Sequence, residues 1–124
     1  MLTSIDSRFK WNDTQIDVVE GLTYQYVADG KWTDWSRVCD ADGYSETKLD
    51  LLSFLKRCRS AQWFQLVAAV DQKLSHTIVL GRSGQFIAPR SGRLWAYAND
   101  AAFMYWNNQG SLALTINTTR ITNP

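Results

Sequence analysis

Residues 93–117 decide the fold, and they read RLWAYANDAAFMYWNNQGSLALTIN. From Arg93 to Ala98, small or aliphatic residues occupy every second position. The run from Ser111 to Asn117 shows the same alternation. A period of two is typical of a β-strand with one buried face and one solvated face. The stretch therefore predicts two strands joined by a polar connection.

The remaining sequence also favours β structure. The chain has six Trp, five Tyr and five Phe but only two Pro, and aromatic residues are enriched in strands. Alternation recurs over residues 23–28, while residues 62–70 and 77–80 predict more fully buried strands. Short strands separated by Gly-containing turns indicate an all-β, antiparallel β-sandwich of about eight strands. A chain of 124 residues is long enough for one such domain, spanning 1–124.

Residues 36–57 are the exception to this pattern. The half up to Thr47 is polar and lacks alternation, so it predicts a loop. The second half allows one or two helical turns that begin near Thr47, a possible N-cap. The segment contains Cys39, and Cys58 follows it directly. Two cysteines do not make a disulfide framework, so we expect thiols, with a pairing of the two left open.

Charge and hydropathy exclude several classes of function. The net charge is +1 with a pI near 7.8, and the basic residues are scattered, so no nucleic-acid partner is expected. No apolar run is long enough to span a membrane. Residues 1–8 lack the apolar core of a secretory signal peptide. We therefore expect synthesis in the cytoplasm, with any release or export by a non-classical route.

The connection between the two strands is rich in oxygen ligands. Asp100, Asn107 and Asn108 supply three side-chain oxygens, and the backbone carbonyls of residues 101–106 add others. Carboxylate, amide and carbonyl oxygens are the ligands that Ca²⁺ takes in irregular loops. Asp and Asn also favour plain turns, which is the alternative. With one formal charge, such a loop alone would bind calcium weakly, and a second loop and a ligand would have to complete the site.

At this point the sequence resembles a known family. Asn99-Asp100, six residues, Asn107-Asn108-x-Gly-Ser and an alternating strand are similar to the calcium-dependent galactose-binding lectins of the Pseudomonas aeruginosa lectin I (PA-IL-like) family. Residues 27–35, 58–61 and 88–92 match further landmarks of that family. The resemblance covers roughly residues 14–116 and implies a jelly-roll-like sandwich, similar to galactose-binding domains.

The resemblance also implies a calcium site and a ligand. Asp100, Asn107 and Asn108 match the coordinating side chains of the family, and Trp35 and Met104 match residues that coordinate through backbone carbonyls. In the family, two sugar hydroxyls complete the calcium shell, so the ion bridges protein and sugar. A bacterial, galactose-specific, non-enzymatic lectin that assembles as a dimer or tetramer is therefore expected, with Ca²⁺ as its cofactor.

Five residues are predicted to contact the sugar: Asp100, Asn107, Trp106, Asp42 and Tyr44. Trp106 replaces a family Gly beside the metal, and sugar contact and packing remain equal alternatives for its ring. Trp32 is assigned to the core. The only histidine, His76, lies in a predicted strand at 74–80, outside the segment where the family places its sugar-binding His.

The alternative function is a structural or protein-interaction sandwich that has lost sugar binding. The missing His and the Trp at position 106 favour that alternative. An enzyme is not expected, because the sequence has no nucleophile elbow, Cys-His pair or phosphate-binding glycine loop. The acid pairs Asp40 and Asp42, and Asp29 and Asp34, are interpreted as surface carboxylates.

Overall fold

The computed structural model describes residues 1–46 and 52–118. It contains short strands that follow one another along the chain: β1 (Leu2–Asp6), β2 (Asn12–Val18), β3 (Thr23–Asp29), β4 (Trp32–Asp34), β5 (Arg37–Cys39), β6 (Leu66–Val70), β7 (Thr77–Val79), β8 (Ser83–Ile87), β9 (Gly92–Ala98), β10 (Asn108–Gln109) and β11 (Ser111–Thr118). Short 3₁₀ turns lie at Ser53–Leu55, Leu74–His76 and Tyr105–Asn107.

Two four-stranded antiparallel sheets form the sandwich. One has the order β1-β11-β3-β8 and the other has the order β2-β9-β6-β7. The strands predicted at either end of the 93–117 stretch are β9 and β11, and each lies in the interior of a different sheet. The connection between them therefore crosses from one sheet to the other at one end of the sandwich. The predicted all-β sandwich is confirmed.

The core follows the alternation in the sequence. Tyr24, Tyr26 and Ala28 of β3 are buried, as are Leu112, Leu114 and Ile116 of β11, while the residues between them are more exposed. These inward side chains pack in one cluster with residues of β6 and β9. Burial of apolar surface of this kind is the main contribution to the stability of the fold.

Strand β6 is buried on both faces. Its five residues Leu66–Val70 are all fully buried. On the outer face, Val67 packs with Cys58, Ala61 and Tyr97 in a second small cluster. The segment around Cys58 therefore covers the sheet at this point, which explains why β6 is a continuous apolar run.

A third, three-stranded sheet lies at the end where the β9–β11 connection crosses. Its order is β10-β4-β5, and it joins the connection to the chain that follows β3. Trp32 of β4 is fully buried, as predicted, and its indole N–H donates to the Phe64 carbonyl at 3.1 Å. Gly110 has a φ of +87°, and a Cβ there would lie 3.1 Å from the Trp32 Cα. The glycine between β10 and β11 is thus required by both conformation and space.

Several boundaries differ from the sequence predictions. The buried strand begins at Leu66 rather than at residue 62, because Phe64 has a φ of 61° and the Gln65 N–H closes a turn onto the Gln62 carbonyl. Strand β7 ends at Val79 and is only partly buried, because it is a sheet edge. His76 lies in a 3₁₀ turn and not in a strand. Strands β1, β2, β4, β5, β8 and β10 were not predicted.

The described residues of the 36–57 segment contain β5 in the half predicted as a loop. In the half where helical turns were predicted they contain the 3₁₀ turn at Ser53–Leu55, and Lys56 forms a β-bridge with Ala101. The predicted helix start at Thr47 lies outside the described residues. Cys39 and Cys58 are both free thiols, so the pairing left open by the sequence does not form. Within the described ranges, no helix is long and apolar enough to cross a membrane.

Candidate functional site

A pocket of about 400 Å³ opens between the β9–β11 connection and two other parts of the chain, residues 34–46 and 52–55. Four of the five predicted metal-binding residues lie in its lining: Trp35, Asp100, Met104 and Asn107. The fifth, Asn108, directly follows Asn107 in the chain and is buried. The remaining lining residues are Asp34, Ser36, Arg37, Tyr44, Glu46, Leu52, Leu55, Trp63, Ala101 and Phe103. The structure therefore brings the predicted ligands together.

The predicted ligand side chains carry buried oxygens without partners. Asp100 Oδ2, Asn107 Oδ1 and Asn108 Oδ1 are inaccessible to solvent and accept no well-formed hydrogen bond from the described residues. Buried polar atoms in proteins are nearly always hydrogen-bonded, and an orphaned acceptor costs about 1–3 kcal/mol. Three such acceptors lie on residues of one connection, and a cation is one partner that could satisfy them, since it interacts with the oxygen end of these groups.

The orientation of two of these groups is fixed by hydrogen bonds. The Asn108 Nδ2 donates to the Ser7 carbonyl at 2.8 Å, which leaves its Oδ1 as the unsatisfied end. The Asp100 Oδ1 accepts the Ala101 N–H at 2.7 Å, so Oδ2 is the unsatisfied carboxylate oxygen. Each residue therefore presents one free acceptor.

Neighbouring residues hold the connection in place. The Asn99 side chain is fully buried and bonds the backbone of Cys58, Ala61 and Gln62. The Arg57 N–H donates to the Asp100 carbonyl at 3.2 Å. Asn99 belongs to the motif that carries the family resemblance, but the sequence assigns no role to it or to Arg57, because each acts through contacts with segments distant in the chain.

Arg57 also anchors the end of the connection. Its guanidinium lies 3.6 Å from the centre of the Tyr97 ring and donates to the Tyr105 hydroxyl at 2.8 Å. That hydroxyl in turn donates to the Ala98 carbonyl at 2.6 Å. Cation–π contacts and hydrogen bonds of this kind restrict the chain on both sides of Met104.

The two predicted carbonyl ligands come from different segments of the pocket lining. Trp35 has a φ of 59°, a conformation that is costly for a large side chain. Its N–H donates to the Asn107 carbonyl at 3.3 Å, which ties it to the connection. The Met104 carbonyl accepts the Asn107 N–H at the long distance of 3.5 Å and so retains acceptor capacity.

The electrostatics of the site favour a cation. Burial raises the pKa of Asp100 to about 6, and the negative charge of Asp34 adds to this rise. The Ala101 N–H and the nearby Asn108 amide lower the pKa in part. A buried carboxylate with a raised pKa is one whose charge is poorly compensated by the protein.

Asp34 is the acid at this pocket that the sequence analysis misjudged. It was interpreted as a surface carboxylate, but it is half-buried and lines the pocket. Its Oδ2 accepts the Tyr44 hydroxyl at 2.5 Å. Burial raises the pKa of Asp34, while the Tyr44 hydroxyl and the charge of Arg37 lower it in part. Only the pairing of β4 with β10 places it beside the connection, so sequence spacing gave no signal for it.

The predicted sugar-contact residues divide into three groups. Asp100, Asn107 and Tyr44 line the pocket. Trp106 is 72% exposed, which rules out the packing alternative, and its ring centre lies 6.5 Å from that of Trp35. The structure does not bring Asp42 to this pocket, because its Oδ1 accepts the Arg82 N–H at 2.8 Å.

The donor set decides which metal could fit. Across residues 1–46 and 52–118, no group of three or more His, Cys, Asp or Glu side chains could hold a metal ion. The pocket offers instead carboxylate, amide and carbonyl oxygens. This set excludes a thiolate or imidazole metal centre here and suits a hard cation such as Ca²⁺.

Comparison with known proteins supports the fold. No protein-family model and no curated protein matches this chain. A solved structure described as "EclA N-terminal domain; PllA-like lectin" superposes with a TM-score of 0.72 over 95% of this chain and 95% of that one. The two sequences are 14% identical, so the likeness shows a shared fold. This chain is an all-β sandwich with the fold of that lectin domain.

Proposed function

We propose that this protein is a calcium-dependent carbohydrate-binding lectin. The side chains of Asp100, Asn107 and Asn108 and the carbonyls of Trp35 and Met104 would hold the ion. When bound there, Ca²⁺ supplies positive charge and coordination positions that sugar hydroxyl oxygens can fill. The observation that carries the proposal is the set of three buried, unpartnered oxygens at one pocket.

The pocket suits a ligand with several hydroxyl groups. Beside the cation ligands it presents the Asp34 carboxylate, the Tyr44 hydroxyl and Trp63. The Trp63 indole N–H is buried and has no acceptor among the described residues, and a sugar oxygen is one acceptor that would satisfy it. We propose Tyr44 and the exposed ring of Trp106 as sugar contacts, and we omit Asp42. Galactose is the first sugar to test.

Thermal unfolding tests the metal. An ion that binds only the folded protein raises its melting temperature as the ion concentration passes the Kd. We expect Ca²⁺ to raise the melting temperature and EDTA to reverse the effect, and Asp100→Ala to abolish both responses. Asp42→Asn is the matched control, since it alters an acid outside the pocket. An identical melting curve of the wild type in Ca²⁺ and in EDTA would eliminate the metal site.

Affinity chromatography tests the ligand. Immobilised galactose should retain the protein in calcium and release it in EDTA. Calcium-dependent retention on a different sugar would support the lectin function but contradict the galactose specificity. If a broad glycan array retains nothing although the melting curves show calcium binding, sugar binding is refuted.

One observation favours the alternative of a non-enzymatic protein-interaction sandwich. Trp35, Phe103 and Trp106 are each more than 60% exposed. Phe103 and Trp106 adjoin proposed calcium ligands in the chain, and Trp35 is one of those proposed ligands. Exposed apolar groups in one region often mark a contact with another protein. Under this alternative, the three substitutions to Ala would abolish self-association or partner binding, and no glycan would bind.

Assembly and location complete the proposal. A single solvent-exposed site gives modest affinity for a sugar. An assembly that presents several copies of the site binds a multivalent glycan more strongly without new contacts. We propose a homodimer or homotetramer, which light scattering coupled to gel filtration measures directly. We further propose that the protein is cytoplasmic as synthesised and reaches its glycans by a non-classical route, which fractionation of the producing cells would test.

A further inference from the structure

We infer that Asp34 is a second carboxylate of the proposed cation site, so that this site carries two negative charges rather than one. The inference rests on the proposed calcium site and extends it. A site with two carboxylates should bind Ca²⁺ more tightly in the absence of sugar than a site with one carboxylate among neutral oxygens.

Strand pairing places Asp34 beside a predicted ligand. In the β4–β10 ladder, Asp34 lies directly opposite Asn108. Residues directly opposite in an antiparallel pair project to the same face, with Cβ atoms about 4.5–5.5 Å apart. Asp34 also lines the same pocket as Asp100 and Asn107. The side chain is therefore within reach of an ion held by the unpartnered Asn108 Oδ1 and Asp100 Oδ2.

The protein itself does not neutralise this carboxylate by contact. Arg37 is opposite Asp34 in the β4–β5 ladder, but its guanidinium forms an ion pair with Glu46 and lies 4.6 Å from the centre of the Tyr44 ring. Among the described residues, no Lys or Arg forms an ion pair with Asp34 or Asp100. The buried carboxylate of Asp100 and the half-buried carboxylate of Asp34 destabilise the folded protein unless a metal ion binds both of them.

Tyr44 fixes the position of the carboxylate. Its hydroxyl donates to Asp34 Oδ2, and its own backbone N–H donates to the Trp63 carbonyl at 2.8 Å. Asp34 is thus held by one oxygen, and the other oxygen remains available. Tyr44 is a positioning residue in this arrangement, because it acts on the ion through Asp34.

Calorimetric titration of Ca²⁺ without sugar tests the inference. Asp34→Asn keeps the shape and the acceptor for Tyr44 but removes the charge. It should weaken calcium binding by about 100-fold or more, because loss of even a residue that only orients a metal ligand costs about 10- to 100-fold. Asp29→Asn is the matched control, since it removes one exposed acid from the nearby end of β3 and should leave calcium affinity unchanged. Tyr44→Phe should give a smaller loss than Asp34→Asn.

Thermal unfolding separates a cation ligand from a structural acid. Without calcium, Asp34→Asn relieves repulsion with Asp100, so its melting temperature should equal or exceed that of the wild type. In calcium, the stabilisation of Asp34→Asn should be smaller than that of the wild type. Calcium affinity equal to the wild type, or a melting temperature lowered equally with and without calcium, would overturn the role of Asp34 while leaving the calcium site intact. Failure of the wild type to bind calcium would overturn the proposed function itself.

Discussion

The calcium-free protein should become less stable as pH rises, and Asp100 should account for the change. Its pKa is about 6 in the folded protein, compared with an ordinary value of 3.8. The folded state therefore binds a proton more tightly than the unfolded state. The stability that this group contributes is fully present below pH 3.8 and is lost as pH rises through 6. A difference of about two pKa units corresponds to about 3 kcal/mol.

Urea denaturation in EDTA at a series of pH values between 4 and 8 measures this effect. Other carboxylates also titrate, and Asp6 and Asp13 have lowered pKa values that act in the opposite direction. The informative quantity is therefore the difference between the wild type and Asp100→Asn. That difference should change by about 2 kcal/mol across this range, with the wild type losing relative stability at high pH. A difference independent of pH would refute the argument that Asp100 is buried without a compensating charge.

Two further substitutions test the surroundings of the site. Trp106→Ala should weaken sugar binding but change the free energy of unfolding by less than about 0.5 kcal/mol, because the ring is 72% exposed; a large loss of stability with normal sugar binding would show that the ring is structural. Asn99→Ala should cost about 3 kcal/mol or more in urea denaturation, because it leaves buried backbone groups of Cys58 and Gln62 unpaired. Unchanged stability of Asn99→Ala would contradict its assigned anchoring role.

The parts of the fold with strong local patterns could be predicted from the sequence. Strands β3 and β11 bury alternate residues, and the residues that β9 contributes to the main core, Leu94, Ala96 and Ala98, also alternate. Hydrophobic periodicity therefore identified these three strands directly. Strand β2 was missed because its register shifts between Asp13 and Asp17 and Gln15 has a φ of 63°. Such an irregularity interrupts the alternation on which the prediction depends.

The residues of the candidate site also divide into those that the sequence could predict and those that it could not. Asp100, Asn107 and Asn108 lie in one short connection, so their spacing was visible in the sequence. Asp34 joins them only through the β4–β10 pairing, and Asn99 and Arg57 act through segments about forty residues away along the chain. Long-range pairing of this kind leaves no periodic signal. Asp42 was placed in the site by its position in the chain, but its hydrogen bond with Arg82 holds it elsewhere.

The most direct test of the calcium site is a crystal structure of the protein grown with Ca²⁺. We predict a metal ion with oxygen ligands at about 2.3–2.6 Å, contributed by the side chains of Asp100, Asn107 and Asn108 and the carbonyls of Trp35 and Met104. Anomalous scattering would identify the ion independently of the distances. A well-ordered structure in which these side-chain oxygens are satisfied by water or by protein donors, with no metal peak among them, would contradict the account.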